Sequence, residues 1–244
     1  MQSVALTDCG QVRQMNQDNI FICDQRIGPL PNLYIVADGM GGEKAGDVAS
    51  AELVKRMCDH IENSKERPLI ALNEAILHAN KEIFSMAKTN KDFQGMGTTL
   101  VTATYISGEL LVANVGDSRL YLLDHSKINQ VTVDHSYVEE MVRLGKFSRD
   151  SKEYQEKKNI ITRAVGASEV LEIDYFKLIP KKDNIALLCS DGLSNMVSDE
   201  RILDIVNLSD SLEKAARELV KTANDNGGKD NISVILLSGM GEEK

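Results

Sequence analysis

Five aspartates lie where stretches patterned for β-structure begin or end. Asp38 follows Leu33-Tyr34-Ile35-Val36-Ala37 and precedes Gly39; Asp191 follows Ile185-Ala186-Leu187-Leu188-Cys189-Ser190 and precedes Gly192; Asp117 follows Val112-Ala113-Asn114-Val115-Gly116. Asp18 precedes a strand starting near Asn19-Ile20, and Asp230 one starting near Asn231-Ile232. In antiparallel sheets the ends of some strands share an edge with the starts of their neighbours, so all five carboxylates can meet at one rim. Anions gathered there repel unless something cationic sits among them. Oxygen donors without histidine or thiolate suit Mg²⁺ or Mn²⁺ and argue against zinc or copper. A cluster this acidic suggests more than one ion. Two such ions roughly 3.5–4 Å apart can activate a shared water and clamp a phosphoryl oxygen, which supports in-line hydrolysis without a protein nucleophile. Against this, any single Asp-Gly is ordinarily a turn, and Asp117-Ser118 and Asp230-Asn231 also read as turn or cap residues. The joint placement of the aspartates at strand termini favours the metal site.

Other chemistries find less support. Gly41-Gly42-Glu43-Lys44-Ala45-Gly46 has the outer spacing of a Walker loop, but the next residue is Asp47, whose charge repels the phosphates a lysine would neutralise. Gly39-Met40-Gly41 lacks the third glycine of a dinucleotide fingerprint; these glycines are better suited to letting the backbone approach an ion, with a peptide carbonyl as a ligand. There is no G-x-S-x-G elbow and no Cys-x5-Arg loop. Cys9, Cys23, Cys58 and Cys189 are far apart with no C-x-x-C and read as reduced core thiols. His60, His78, His125 and His135 show no metalloprotease spacing and carry little of the chemistry.

The elements that must position the aspartates can be read from periodicity. Val54, Met57, Cys58 and Ile61 predict a helix over about 47–62; Leu69, Leu72, Ile76, Ala79 and Ile83 predict another over 68–88 after Pro68. Leu212, Ala215, Ala216, Leu219, Val220 and Ala223 predict a third over 211–224, opened by Asp210 with Glu213 as in a capping box. Short β-rich stretches cover Ile20–Cys23, Leu33–Ala37, Thr98–Ile106, Leu110–Val115, Leu120–Leu123, Ile173–Leu178, Ile185–Cys189 and Ile232–Leu237. Ser107-Gly108-Glu109 and Gly116-Asp117-Ser118 read as hairpin connections, hence antiparallel sheet. This order predicts an α+β layered domain, sheet on sheet with helices outside. Residues 136–160, where Ser136-x-x-Glu139 caps a short helix ending at Gly145, read as an exposed excursion. The expected unit is one domain over 1–238 with a frayed tail over 239–244.

The chain has 244 residues, enough for one mixed domain of roughly 200–250 residues. With 28 basic and 37 acidic residues its formal net charge is −9, which disfavours attraction to nucleic acid or anionic membrane. No apolar run approaches the roughly 18 residues of a membrane span, and the N-terminus lacks secretory-signal blocks, so a cytoplasmic protein is expected.

In register, Arg13-Gln14-Met15-Asn16-Gln17-Asp18, Val36-Ala37-Asp38-Gly39-Met40-Gly41-Gly42, Asn114-Val115-Gly116-Asp117-Ser118-Arg119, Ser190-Asp191-Gly192-Leu193 and Lys229-Asp230-Asn231-Ile232 resemble the metal-dependent type 2C (PPM) protein serine/threonine phosphatases. The likeness runs from about Leu6 to Leu237 and points to the compact bacterial members that oppose Ser/Thr kinases. It implies a four-layer α-β-β-α sandwich with a dinuclear Mn²⁺ or Mg²⁺ site at one end. By that resemblance Asp38 bridges both metals, Asp191 and Asp230 bind one, Gly39 offers its carbonyl to the other, and Asp18 reaches that second ion mainly through waters. Asp117, with Asp191, matches a third, weaker metal position. Arg13 would clamp the substrate phosphate, with Arg13 and Asp38 the catalytic pair, and residues 136–160 would be the family's flap. The implied partners are phosphorylated proteins, including a Ser/Thr kinase, and the implied state is a monomer. Two departures stand out. Met40 occupies the place of the histidine proposed as general acid in eukaryotic members, and Gln155-Glu156-Lys157-Lys158-Asn159 replaces the His-Pro-x-Arg-Asn of many bacterial ones. A catalytically silent binding module, or a phosphatase dedicated to one regulatory partner, are the competing readings.

Overall fold

The computed structural model describes residues 1–42 and 45–241. Residues 43 and 44 of the Walker-like spacing and 242–244 of the expected tail lie outside the described residues. Among the described residues the strands are β1 (Gln2–Asp8), β2 (Asp18–Cys23), β3 (Leu33–Met40), β4 (Gly97–Thr98), β5 (Leu100–Ile106), β6 (Glu109–Val115), β7 (Arg119–Leu123), β8 (Ile128–Gln130), β9 (Asp174–Leu178), β10 (Ile185–Cys189) and β11 (Ile232–Ser238). The helices are α1 (Ala45–Asn63), α2 (Pro68–Thr89), α3 (Tyr137–Arg143), α4 (Lys152–Lys157), α5 (Asp191–Ser194), α6 (Asp199–Leu208) and α7 (Leu212–Asp225).

Strand alternation sorts these elements into layers. Along β3, Leu33, Ile35 and Ala37 face one way and pack with Leu53, Met57 and Ile61 of α1 and Leu72, Ile76 and Ile83 of α2. Tyr34 and Val36, between them, face the other way and meet Leu188, Ile235 and Leu237 of the second sheet. On β10 the same alternation sends Ala186 and Leu188 to that inter-sheet core, and Leu187 and Cys189 to α6 and α7 through Ile202 and Leu219. Three cores therefore separate four layers, α-β-β-α. Each fully buried Leu or Ile contributes about 1.5–3 kcal/mol to holding them together. One sheet runs β1-β11-β10-β7-β8; the other runs β2-β3-β5-β6-β9, with β4 added to β3, and all pairings are antiparallel.

Several local expectations need correction. Gly116-Asp117-Ser118 is not a hairpin: β6 and β7 belong to different sheets, so the turn carries the chain across the sandwich. Ser107-Gly108 does join paired strands, both residues at positive φ. β3 does not stop at Ala37, because β4 extends its pairing to Gly39 and Met40. The cap of α7 is Ser211, whose hydroxyl accepts the Lys214 N–H, while Asp210 pairs with the Lys214 ammonium. Ser136 does cap α3 through the Glu139 N–H, and Pro68 opens α2. β1, β8, α4, α5 and α6 have no counterpart in the sequence reading. Cys189 is buried, but Cys9, Cys23 and Cys58 are only half-buried, so they are free thiols at the edge of packing and not core.

Candidate active site

The β2–β3 register sets Asp18 directly opposite Asp38. Around Asp38 the backbone is fully tied: its N–H donates to Thr99 Oγ1 at 3.0 Å, and its carbonyl accepts from Thr99 N at 2.8 Å and Thr98 Oγ1 at 3.0 Å. Gly39 follows because no side chain fits; a Cβ there would stand 2.0 Å from the Gly46 carbonyl oxygen of α1. From the other sheet, Asp191 leaves β10 as the first residue of α5, with one carboxylate oxygen, Oδ2, accepting from Asn195 Nδ2 at 2.9 Å. Asp230 stands before β11, where Arg13 Nη2 donates to its Oδ2 at 2.8 Å. Asn231 pins the loop carrying Arg13: its Oδ1 accepts Gln17 N–H, and its Nδ2 donates to the carbonyls of Cys9 and Met15. Asp117 sits in the crossover between the sheets.

These pieces form one cavity of about 250 Å³, walled by Asp38, Asp117, Asp191 and Asp230 together with Arg13 and Gly39. Asp18 does not reach the wall. It stands behind, 5% exposed, with Oδ2 accepting from Ser190 Oγ at 2.7 Å and so bonded to the end of the opposite sheet's strand. Burial first, then mutual repulsion, holds these groups above the ordinary carboxylate range: Asp18 to about 7, Asp117 to about 8, Asp191 to about 6, and Asp38 well upward. Asp18 Oδ1 and Asp191 Oδ1 are buried with no hydrogen-bond partner. Among the described residues, no three Asp, Glu, His or Cys side chains form a ready-made metal cage. The donor chemistry nevertheless fits hard cations: oxygen atoms alone, with Asp191 Oδ1 orphaned, in a cavity lined among the described residues by four aspartates and one cation, Arg13.

Sequence reasoning missed the groups that brace this wall. Thr99, whose Oγ1 lies 2.7 Å from Ser118 Oγ, links Asp38 to the Asp117 crossover. Arg119 binds Asp134 through Nε and Nη2, and Tyr121 hydroxyl through Nη1, at the base of an adjoining cavity of about 320 Å³ that shares Asp117 and Asp191. Tyr154, Gln155 and Lys158, around α4, line that second cavity too. His135 is 8% exposed, and burial holds its pKa below the ordinary value. The signal for these residues was long-range; the Asp134-His135-Ser136 run lies inside a polar stretch with no periodicity to mark it.

A carboxylate-walled cavity at the end of a double antiparallel sheet offers the donors for divalent cations of the kind that assist phosphoester hydrolysis. Residues 3–232 match the family described as Protein phosphatase 2C. The chain is 39% identical over 236 residues to the serine/threonine phosphatase stp of Listeria welshimeri, covering 95% of this chain and 93% of that one. It is 35% identical over 247 residues to protein phosphatase PhpP of Streptococcus pneumoniae, covering 100% and 99%. The solved structure of serine/threonine phosphatase Stp1 from Staphylococcus aureus superposes with a TM-score of 0.90 at 31% identity, over 97% of this chain and 94% of that one. The chain therefore belongs to the protein phosphatase 2C family, as a serine/threonine protein phosphatase of the compact bacterial kind. Metal dependence is general in that family. No helix among the described residues is long and apolar enough to cross a membrane.

Proposed function

We propose that this cavity hydrolyses phosphoserine and phosphothreonine by direct attack of water on phosphorus, with two Mn²⁺ or Mg²⁺ ions and room for a weaker third. The observation that carries this is the wall itself: four aspartates from both sheets around one cavity, with a fifth behind them. Asp38, Asp191 and Asp230 would hold the ions, with the Gly39 carbonyl and Asp18 completing one position and Asp117 with Asp191 forming the third. When bound, such ions supply Lewis acidity toward phosphoryl oxygens and lower the pKa of water. The residues of the chain do the rest. Arg13 offers a planar fork to the phosphate from the loop that Asn231 holds rigid. Among the described residues the wall contains no cysteine, serine or histidine, and its Thr99 hydroxyl is already engaged with Asp38 N–H and Ser118, so the attacking group is water and the aspartates are kept for the ions. Met40, also in the wall, has no proton to give, so the departing oxygen takes its proton from water or from another residue.

The natural substrates would be phosphoproteins modified by a bacterial Ser/Thr kinase, met in the cytoplasm by a monomer. The names of the Listeria and Staphylococcus relatives support the residue class. The intact aspartate set supports an active enzyme over a silent binding module. In an assay with p-nitrophenyl phosphate and a phosphothreonine peptide in Mn²⁺, Asp38→Ala and Asp191→Ala each abolish turnover; chelator-sensitive activity surviving in either refutes the assignment.

A further inference from the structure

His135 grips the turn that carries Asp117. Its ring Nδ1 accepts the Gly116 N–H at 3.0 Å, and its own backbone N–H donates to the Gly116 carbonyl at 2.9 Å. Both polar atoms of the Gly116 main chain are thus held by one residue. Gly116 has a φ of 103°, a conformation open to glycine, with Thr99 Cβ 2.7 Å from where a Cβ would stand. A backbone amide always carries its hydrogen, so Nδ1 must be bare and the proton of the neutral ring must sit on Nε2. Asp174 Oδ2 faces that nitrogen at 3.2 Å. Arg163 Nη1 touches both, 3.0 Å from Nε2 and donating to Asp174 Oδ1 at 2.8 Å. Asp174 itself is fixed in β9 opposite Asn114 of β6, two residues before Gly116. His135 also meets both roots of the 136–160 excursion: Ser136 follows it, and its carbonyl accepts Thr162 N–H at 2.8 Å.

We propose that His135 is a positioning residue for the phosphatase reaction, acting as the Nε2–H tautomer to fix the Gly116 peptide and so to aim the Asp117 carboxyl into the cavity. This rests on the hydrolytic reading above. Without the acceptor, the Gly116 peptide is free to turn and Asp117 loses its direction, while Arg13 keeps its support on Asn231 and the Asp38 N–H keeps its bond to Thr99 Oγ1, the residue it shares with the turn. The loss therefore falls on turnover and not on substrate capture.

Two variants separate the acceptor from the bulk of the ring. His135→Asn keeps an oxygen where Nδ1 stands but cannot reach Asp174; His135→Leu keeps bulk and loses the acceptor. The Leu variant should lower kcat on a phosphopeptide by roughly 10–100-fold, the usual scale for removing a partner one shell from a metal ligand, with KM little changed. Deuterium exchange of the Gly116 amide, followed by NMR on chelated protein, should turn fast in the Leu variant and stay slow in the Asn variant, which should recover most of kcat. Nitrogen shifts of the wild-type ring should show a bare Nδ1. The proposal fails if the Leu variant turns over like wild type, if the Asn variant loses as much as Leu, or if the wild-type proton sits on Nδ1. Should the Leu variant not fold, the Asn variant's exchange and the wild-type shifts still decide. Asp38→Ala run alongside separates the two layers of argument: activity surviving there sinks the hydrolytic reading, whereas its loss beside an unimpaired Leu variant sinks only the role of His135.

Discussion

Asn231 joins the start of β11 to a loop more than 200 residues away in sequence, accepting from Gln17 and donating to Cys9 and Met15. With a net contribution of about 1 kcal/mol per bond, Asn231→Ala should lower stability in urea unfolding by about 2–3 kcal/mol. The same change should raise KM for an aryl phosphate more than it lowers kcat, because Arg13 loses its fixed base; an unchanged KM would separate Arg13 from phosphate binding. The sequence placed Asn231 within a motif beside Asp230 but offered no hint of this staple, since its partners are remote in the chain. The aspartates were legible for the opposite reason. An acidic residue bordering an apolar run is a local contradiction, and five of them, three after such runs and two before, make a pattern. What the pattern did not show is that Asp18 stands behind the wall, since burial depth depends on which sheet covers it.

At the level of elements, regular periodicity carried over well and short or edge pieces did not. The apolar faces of α1, α2 and α7 repeat every three to four residues over at least 14 residues each, and their limits came within two residues of the observed ones. β1 is an edge strand with only partial burial, and β8 has three residues, so neither offers enough alternation to read. The Gly116 turn shows a different limit: its shortness fixes a sharp reversal but says nothing about which sheet the next strand joins. α7 gives a direct test of the corrected boundary. Ser211→Ala should cost about 1 kcal/mol as the loss of an N-cap, whereas Asp210→Ala, which removes an exposed ion pair, should cost a few tenths; urea midpoints of the two variants compare them. The reverse order would restore Asp210 as the cap.

Over the whole molecule, the buried carboxylates set how stability follows pH. Asp18, Asp117 and Asp191 hold protons to about 7, 8 and 6 in the fold, while in the unfolded chain each releases its proton near 3.8. Between those values the native state binds more protons than the unfolded one, so this contribution to stability falls as pH rises, from below about 4 to above about 8. His135, lowered by burial, acts in the opposite sense only below its ordinary value near 6.5. Chelated protein should therefore melt at lower temperature at pH 8 than at pH 6.5, and Mn²⁺ should close most of that gap while releasing protons on binding; a chelated Tm that is flat or rises across this interval would contradict it. Asp18 and Asp38 belong to one sheet, Asp191 and Asp230 border the other, and the Asp18–Ser190 bond already crosses between them. On the proposed metal reading, ions lodged there would work like a rivet through two plates: sliding one plate misaligns the hole, and a filled hole resists sliding. Mechanical cohesion and catalytic competence are then a single property of the seam, and any substitution that lets the plates slip is felt first as lost chemistry.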